Sequence, residues 1–287
     1  MKKFTWLLIV FIFFTVNIIV FAQNPASDFE FDIDAQGRVS IVRYIGTSPN
    51  VVIPREIQGF PVVEIGAFAF DGNQILQRVT IPEGVTAIGL YAFGQCRNLI
   101  EVNLPQTLTI LGSYAFAGCI NLQGIIIPER ATKWGIGVFA RSGIINIVLP
   151  QNIEVIPMYS FMRTSLQQII IPEKVTIIAA YAFADCVNLR TVSLPSSIKS
   201  IGNRFYSDIE ERHYPSMGGP DGKDAGGVFI NCEILSHIII PNNVTRIEFI
   251  EYNEFQEIDG EPLFDGCKNL SLATQARLRQ LGYDGKF

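Results

Sequence analysis

A proline preceded by Ile or Leu recurs at positions 54, 82, 105, 128, 150, 172, 195 and 241, and this recurrence restricts the chain more than any other feature. The successive spacings are 28, 23, 23, 22, 22, 23 and 46 residues. A second marker, a phenylalanine after a mostly small residue, keeps the same beat at positions 70, 93, 116, 139, 161, 183, 229 and 264. From Pro82 to Pro172 the next marker Phe always lies 11 residues beyond the proline. A period this short and this regular means a solenoid, in which each unit buries its apolar side chains only by resting on its neighbours.

The unit is clearest in residues 98–119. Before Pro105 the chain alternates, with Val102 and Leu104 on one face and Glu101 and Asn103 on the other, which is the period of a half-buried strand. Proline cannot donate to a strand ladder, so Pro105 ends the strand and turns the chain. Leu108 to Gly112 reads as a second extended segment, and Tyr114 to Cys119 as a tight helical turn.

This pattern resembles the BspA-type leucine-rich repeats, whose unit runs roughly Leu-x-x-Val-x-Ile-Pro-x-x-Val-x-x-Ile-Gly-x-x-Ala-Phe-x-x-Cys. Residues 76–96, 99–119 and 166–186 carry it nearly intact, and the likeness extends over about residues 39–287. The resemblance implies an α/β-type repeat solenoid of eight coils of 22–23 residues with a parallel sheet on one face. It also implies a cap over residues 23–50, with a hairpin around Asp34–Gly37, a solenoid over 51–270, and a helical cap over 271–287. Apolar residues at helical spacing in Leu272–Leu281 agree with that last element. Members of this family are typically exported bacterial proteins, several of them adhesins for host matrix proteins or other cells.

Residues 1–22 read as an export signal. Lys2 and Lys3 precede an apolar run from Phe4 to Phe21, and Ala22 sets cleavage before Gln23. The competing reading is an uncleaved anchor, because the run is long enough to cross a bilayer. After cleavage no stretch remains for stable membrane insertion. Leu104-Pro-Gln-Thr-Leu108 mimics a cell-wall sorting signal, but it sits mid-chain and in phase with the repeat.

The departures from the period are the candidate binding sites, because insertions in solenoids commonly map to a binding face. Two loops, at about 203–225 and 248–259, enter their units at the same point, between the Ile-Gly segment and the marker Phe. They should emerge side by side as an acidic, aromatic-bearing lip that includes Tyr206, His213, Tyr214, Glu251, Tyr252 and Phe255. Tolerated surface elaboration is the competing explanation. A second departure is on the strand face. The outward position two before each proline carries Thr80, Asn103, Ile126, Val148, Ile170, Ser193 and Ile239, so three consecutive coils expose an apolar stripe. Such a patch marks a partner site or reflects ordinary strand propensity.

Other chemistry is poorly provided for. A net charge of -5 gives no general attraction for nucleic acid. Only two histidines occur, and no Cys or His spacing suits a metal. Cys96, Cys119, Cys186, Cys232 and Cys267 all fall three residues after the marker Phe, where other units place Asn73, Ser142 and Thr164. One fixed phase filled by small or polar residues is a structural ladder, so reduced, mostly buried thiols are expected rather than disulfides. No hydrolase, P-loop or zincin motif occurs, so a noncatalytic chain without cofactors is expected. The resulting reading is a monomeric, exported protein-binding solenoid whose partner is a host extracellular-matrix or bacterial surface protein. A periplasmic or envelope scaffold is the alternative. A carbohydrate-binding module ranks third, since the outward strand positions carry no aromatic platform.

Overall fold

The computed structural model describes residues 22–203, 227–249 and 263–287. Within them the chain winds as a succession of short strands and turns, and each coil lies against the next. Segments before the prolines pair in parallel: Asn50–Val52 with Arg78–Thr80, then Glu101–Asn103; and Gln168–Ile170 with Thr191–Ser193, then His237–Ile239. Between these two sets Ile126 and Val148 form a single parallel bridge. A second parallel ladder joins the Ile-Gly segments, from Phe60–Ile65 through Ala87–Ile88 and Ile110–Leu111 to Lys133–Trp134. It resumes at Val155–Ile156 and runs through Ile177–Ala179 and Ser200–Asn203 to Glu248–Phe249.

Residue 157 explains the interruption. Gly112 and Gly135 donate their backbone N–H to Ile88 O and Leu111 O of the preceding coil, at 2.7 Å each. The next coil has Pro157 in that position and therefore has no N–H to give Trp134. Strand pairing on this side stops between Trp134 and Val155 for want of a donor.

The turn around the marker Phe is a ladder rather than the helical turn expected. Tyr114, Phe116 and Gly118 donate their N–H groups to Ile136, Val138 and Ala140 of the next coil, while Ala115, Ala117 and Cys119 donate back to carbonyls three residues earlier in their own coil. Alternation between outward and local bonds needs left-handed backbone at two points. These are Tyr114 (φ 56°) and Gly118 (φ 72°), and the same two phases are left-handed at Tyr91 and Gln95 and at Tyr181 and Asp185. Helical residues would have turned every N–H into their own coil and left the coils unjoined there.

Inside this turn the eight phenylalanines form one stack, with ring centroids 4.8–5.8 Å apart from Phe70 to Phe264. Phe183 meets Phe229 at 5.4 Å, so the insertion between them leaves the stack unbroken. The core is a column of Phe, Leu, Ile and Val, sealed at each end. At the N-terminal end Phe29–Ile33 and Val39–Tyr44 form an antiparallel hairpin, its turn closed by the Asp34 carboxylate on the N–H groups of Gln36 and Arg38. A second small hairpin, Glu56–Ile57 with Phe60–Pro61, turns through left-handed Gln58 and Gly59 and accounts for the long first interval between prolines. At the C-terminal end the helix Leu272–Gln280 is capped by the Ser271 hydroxyl, which accepts from Thr274 N. Tyr283 then lays its ring edge-on against Phe264, 4.9 Å between centroids.

Candidate functional site

Along each strand before a proline, alternate side chains serve different masters. Val79, Val102, Ile125, Ile169, Val192 and Ile238 point into the column and are buried. The intervening side chains form two outward rows that cross the coils. In the first coils both rows are polar and tied together. Arg78 reaches Glu101 at 3.3 Å and Asn50 Oδ1 at 3.3 Å, and the Asn103 amide donates to Glu101 at 3.1 Å and Thr80 at 3.4 Å.

The character then changes. Ile126, Val148 and Ile170 are exposed to 84%, 75% and 76%, and beside them stand Gly124, Asn146 and Gln168, none of them charged. Ser193 and Thr191 restore polarity in the next coil, and His237 is bonded through Nδ1 to the Ser236 hydroxyl at 2.9 Å. The structure therefore brings together the three predicted stripe residues on consecutive coils, bounded on both sides by polar rungs. A strand face supplies this exposure because its inner side chains alone satisfy the core. The adjoining edge is stiffened by a device the sequence reading missed. Glu83, Glu129 and Glu173 each accept the backbone N–H of the residue after the next coil's proline: Gln106 at 2.9 Å, Gln151 at 2.8 Å and Ser196 at 3.0 Å. Pro-Glu, three times in phase, was the available signal.

The predicted loop residues Tyr206, His213, Tyr214, Glu251, Tyr252 and Phe255 lie outside the described residues. Their points of departure do not. Ser200 and Ile201 pair with Glu248 and Phe249, and Phe229 N donates to Leu263 O at 2.9 Å. Both insertions thus leave from, and rejoin at, adjacent rungs.

The opposite edge carries a second aromatic row, also missed, at the left-handed position two before the marker Phe. Phe68, Tyr91 and Tyr114 stack at 5.7 and 4.9 Å. Neighbouring rings in this row cover one another's faces. Gly137, where a Cβ would meet the Tyr114 ring at 2.3 Å, interrupts this row, which resumes with Tyr159 stacked on Tyr181 at 5.1 Å.

The five cysteines are free and buried. Each Sγ–H donates to the carbonyl of the marker Phe one coil back, as in Cys119 to Phe93 O at 3.1 Å and Cys186 to Phe161 O at 3.0 Å. Burial pushes the thiols of Cys96 and Cys267 up to about 12 and that of Cys186 to about 11, and lifts Cys119 and Cys232 well above the ordinary value. Thiols held this firmly protonated are neither nucleophiles nor metal ligands near neutrality. No cluster of three or more His, Cys, Asp or Glu suited to a metal occurs among the described residues.

The profile of the BspA type leucine-rich repeat region matches residues 50–163 and 154–259, in six copies. The chain belongs to this family. Its repeats build a protein-interaction fold, and the parallel-strand solenoid described above is that fold. Among solved structures, the chain is similar to a leucine-rich repeat protein from T. pallidum at 27% identity and a TM-score of 0.58, over 93% of this chain and 99% of that one. A leucine-rich repeat protein from Bacteroides ovatus shares the fold at 24% identity and a TM-score of 0.52, over 85% of this chain and 68% of that one. No curated protein matches. Among the described residues no helix is long and apolar enough to cross a membrane.

Proposed function

We propose that this BspA-type repeat protein is an exported, noncatalytic binding protein that works at the cell surface or outside the cell, with proteins of a host matrix or of other cells as partners. The observation that carries the reading is the uncharged stripe of Ile126, Val148 and Ile170 on a preformed sheet. Three aliphatic side chains held in water on consecutive rungs gain free energy when a partner covers them, at about 25 cal/mol per Å². Because the rungs are already ordered, association costs little further conformational entropy. The insertions add a second contact region. They spring from neighbouring coils, and Tyr206, His213, Tyr214, Glu251, Tyr252 and Phe255 supply the aromatic and acidic groups suited to protein contacts. Residues 1–22, with their basic start and apolar run, support export.

The test is capture by residues 23–287 of matrix proteins and of envelope extract from the source organism. A triple variant Ile126→Ser, Val148→Ser, Ile170→Ser and a deletion of residues 203–225 serve as comparisons, and circular dichroism checks the fold of each. Protease treatment of intact cells reports exposure at the surface. Capture of a matrix component that the triple variant loses, from a chain that protease removes, is the expected result. Capture confined to an envelope protein, from a chain that protease spares, would replace the adhesin with an envelope scaffold.

A further inference from the structure

We propose that the strand face pairs with the same face of a second copy of this chain, the two stacks running antiparallel. This deepens the reading of that face as a protein-binding surface by naming its partner, and it departs from the monomer expected from sequence. The first argument is the order of side chains. Across five coils the outward row reads Asn103, Ile126, Val148, Ile170, Ser193, polar at both ends and aliphatic between, and so has the same character in either direction. A two-fold axis lying in the interface along the middle strand sets Val148 against Val148 and Ile126 against Ile170 of the second copy. In the neighbouring row Asn146 meets its own amide, which both donates and accepts, Gly124 lies opposite Gln168, and Glu101 lies opposite Thr191.

Charge is the second argument. A chain of net charge -5 repels its own copy over most of its surface, and like charges brought face to face cost several kcal/mol. Over the three middle coils the outward rows hold no charge at all, and within these two rows the antiparallel arrangement sets no carboxylate against a carboxylate. Five coils at about 4.8 Å make a contact roughly 24 Å long. A strip of that size is below what stable dimers bury, which makes the pair weak, reversible and dependent on concentration.

Sedimentation velocity of residues 23–287 over a roughly hundredfold range of concentration tests this, with V148K, I126E, I170K and the double variant I126E/I170K. The wild-type protein is expected to pass from monomer to dimer, and each single substitution to lower the association constant by about tenfold or more. The double variant should recover association, because antiparallel pairing sets the carboxylate introduced at 126 beside the ammonium introduced at 170 of the second copy, twice per dimer. A foreign surface has no reason to reward that combination, and a merely misfolded single variant would not be rescued by a second charge. Sedimentation as a monomer throughout, or a dimer indifferent to V148K, overturns the proposal; a double variant no better than its parents overturns the antiparallel pairing. A monomeric chain that still captures a foreign protein through the stripe would sink this inference alone. A stripe-dependent dimer without foreign capture would leave it standing and remove host or microbial partners.

Discussion

Ser142 occupies the phase held by cysteine in five other coils, and its buried hydroxyl has no hydrogen-bond partner among the described residues. Thr164, at the same phase, turns its hydroxyl onto Phe161 O at 2.8 Å, and each cysteine gives its Sγ–H to a carbonyl. An orphaned buried hydroxyl costs about 1–3 kcal/mol, so Ser142→Ala is expected to stabilise the protein by about 1 kcal/mol in urea denaturation. The cysteines set a dependence on pH. Burial raises the folded thiols from the ordinary 9.0 to about 11 or 12 at Cys186 and Cys96. Once unfolded they ionise near 9.0, which favours the unfolded chain as pH rises. Their contribution is therefore present in full below about 9 and is lost progressively toward 12. The urea midpoint should fall across that window, and Cys186→Ala should flatten its slope. That cysteine would recur at one phase was legible in the spacing; that its proton serves the preceding coil was not, because the acceptor carbonyl lies between 25 and 49 residues away in the chain.

Elements in this chain are joined by backbone donors, and where a donor is missing the ladder opens. Pro157→Ala returns an N–H at the position from which Gly112 and Gly135 bond to the coil behind them. The new amide is expected to exchange slowly with deuterium, and the two ladders that now end at Trp134 and begin at Val155 to become continuous. The acidic residue after the proline works in the other direction, as an acceptor. Glu173 holds both the N–H and the hydroxyl of Ser196, at 3.0 and 2.6 Å, and Glu173→Ala should cost about 1 kcal/mol in the same denaturation assay. At this scale the sequence announced strands before each proline. It did not announce that Tyr114–Cys119 would form a ladder instead of a helical turn, since that depends on N–H groups pointing at a neighbouring coil.

For the whole molecule, the decisive property is that the phenylalanine stack passes from Phe161 through Phe183 and Phe229 to Phe264 without widening at the insertions. Deleting residues 203–225 should therefore leave the folded core cooperative in urea denaturation and shift its stability by less than about 1 kcal/mol, because the length of a connection costs little. Phe139→Ala, by contrast, removes a ring packed on Phe116, Phe161 and Trp134, and is expected to cost about 3–5 kcal/mol. The repeat period by itself determined the solenoid, its phase and the cysteine ladder, because each depends on which residues recur at a fixed interval. Only the tertiary structure decided that Pro157 divides a second ladder, that the turn at each marker Phe pairs with the next coil, and that each thiol serves a carbonyl of the coil behind it. Those are relations between residues far apart in the chain, and they exist only once one coil is laid on the next.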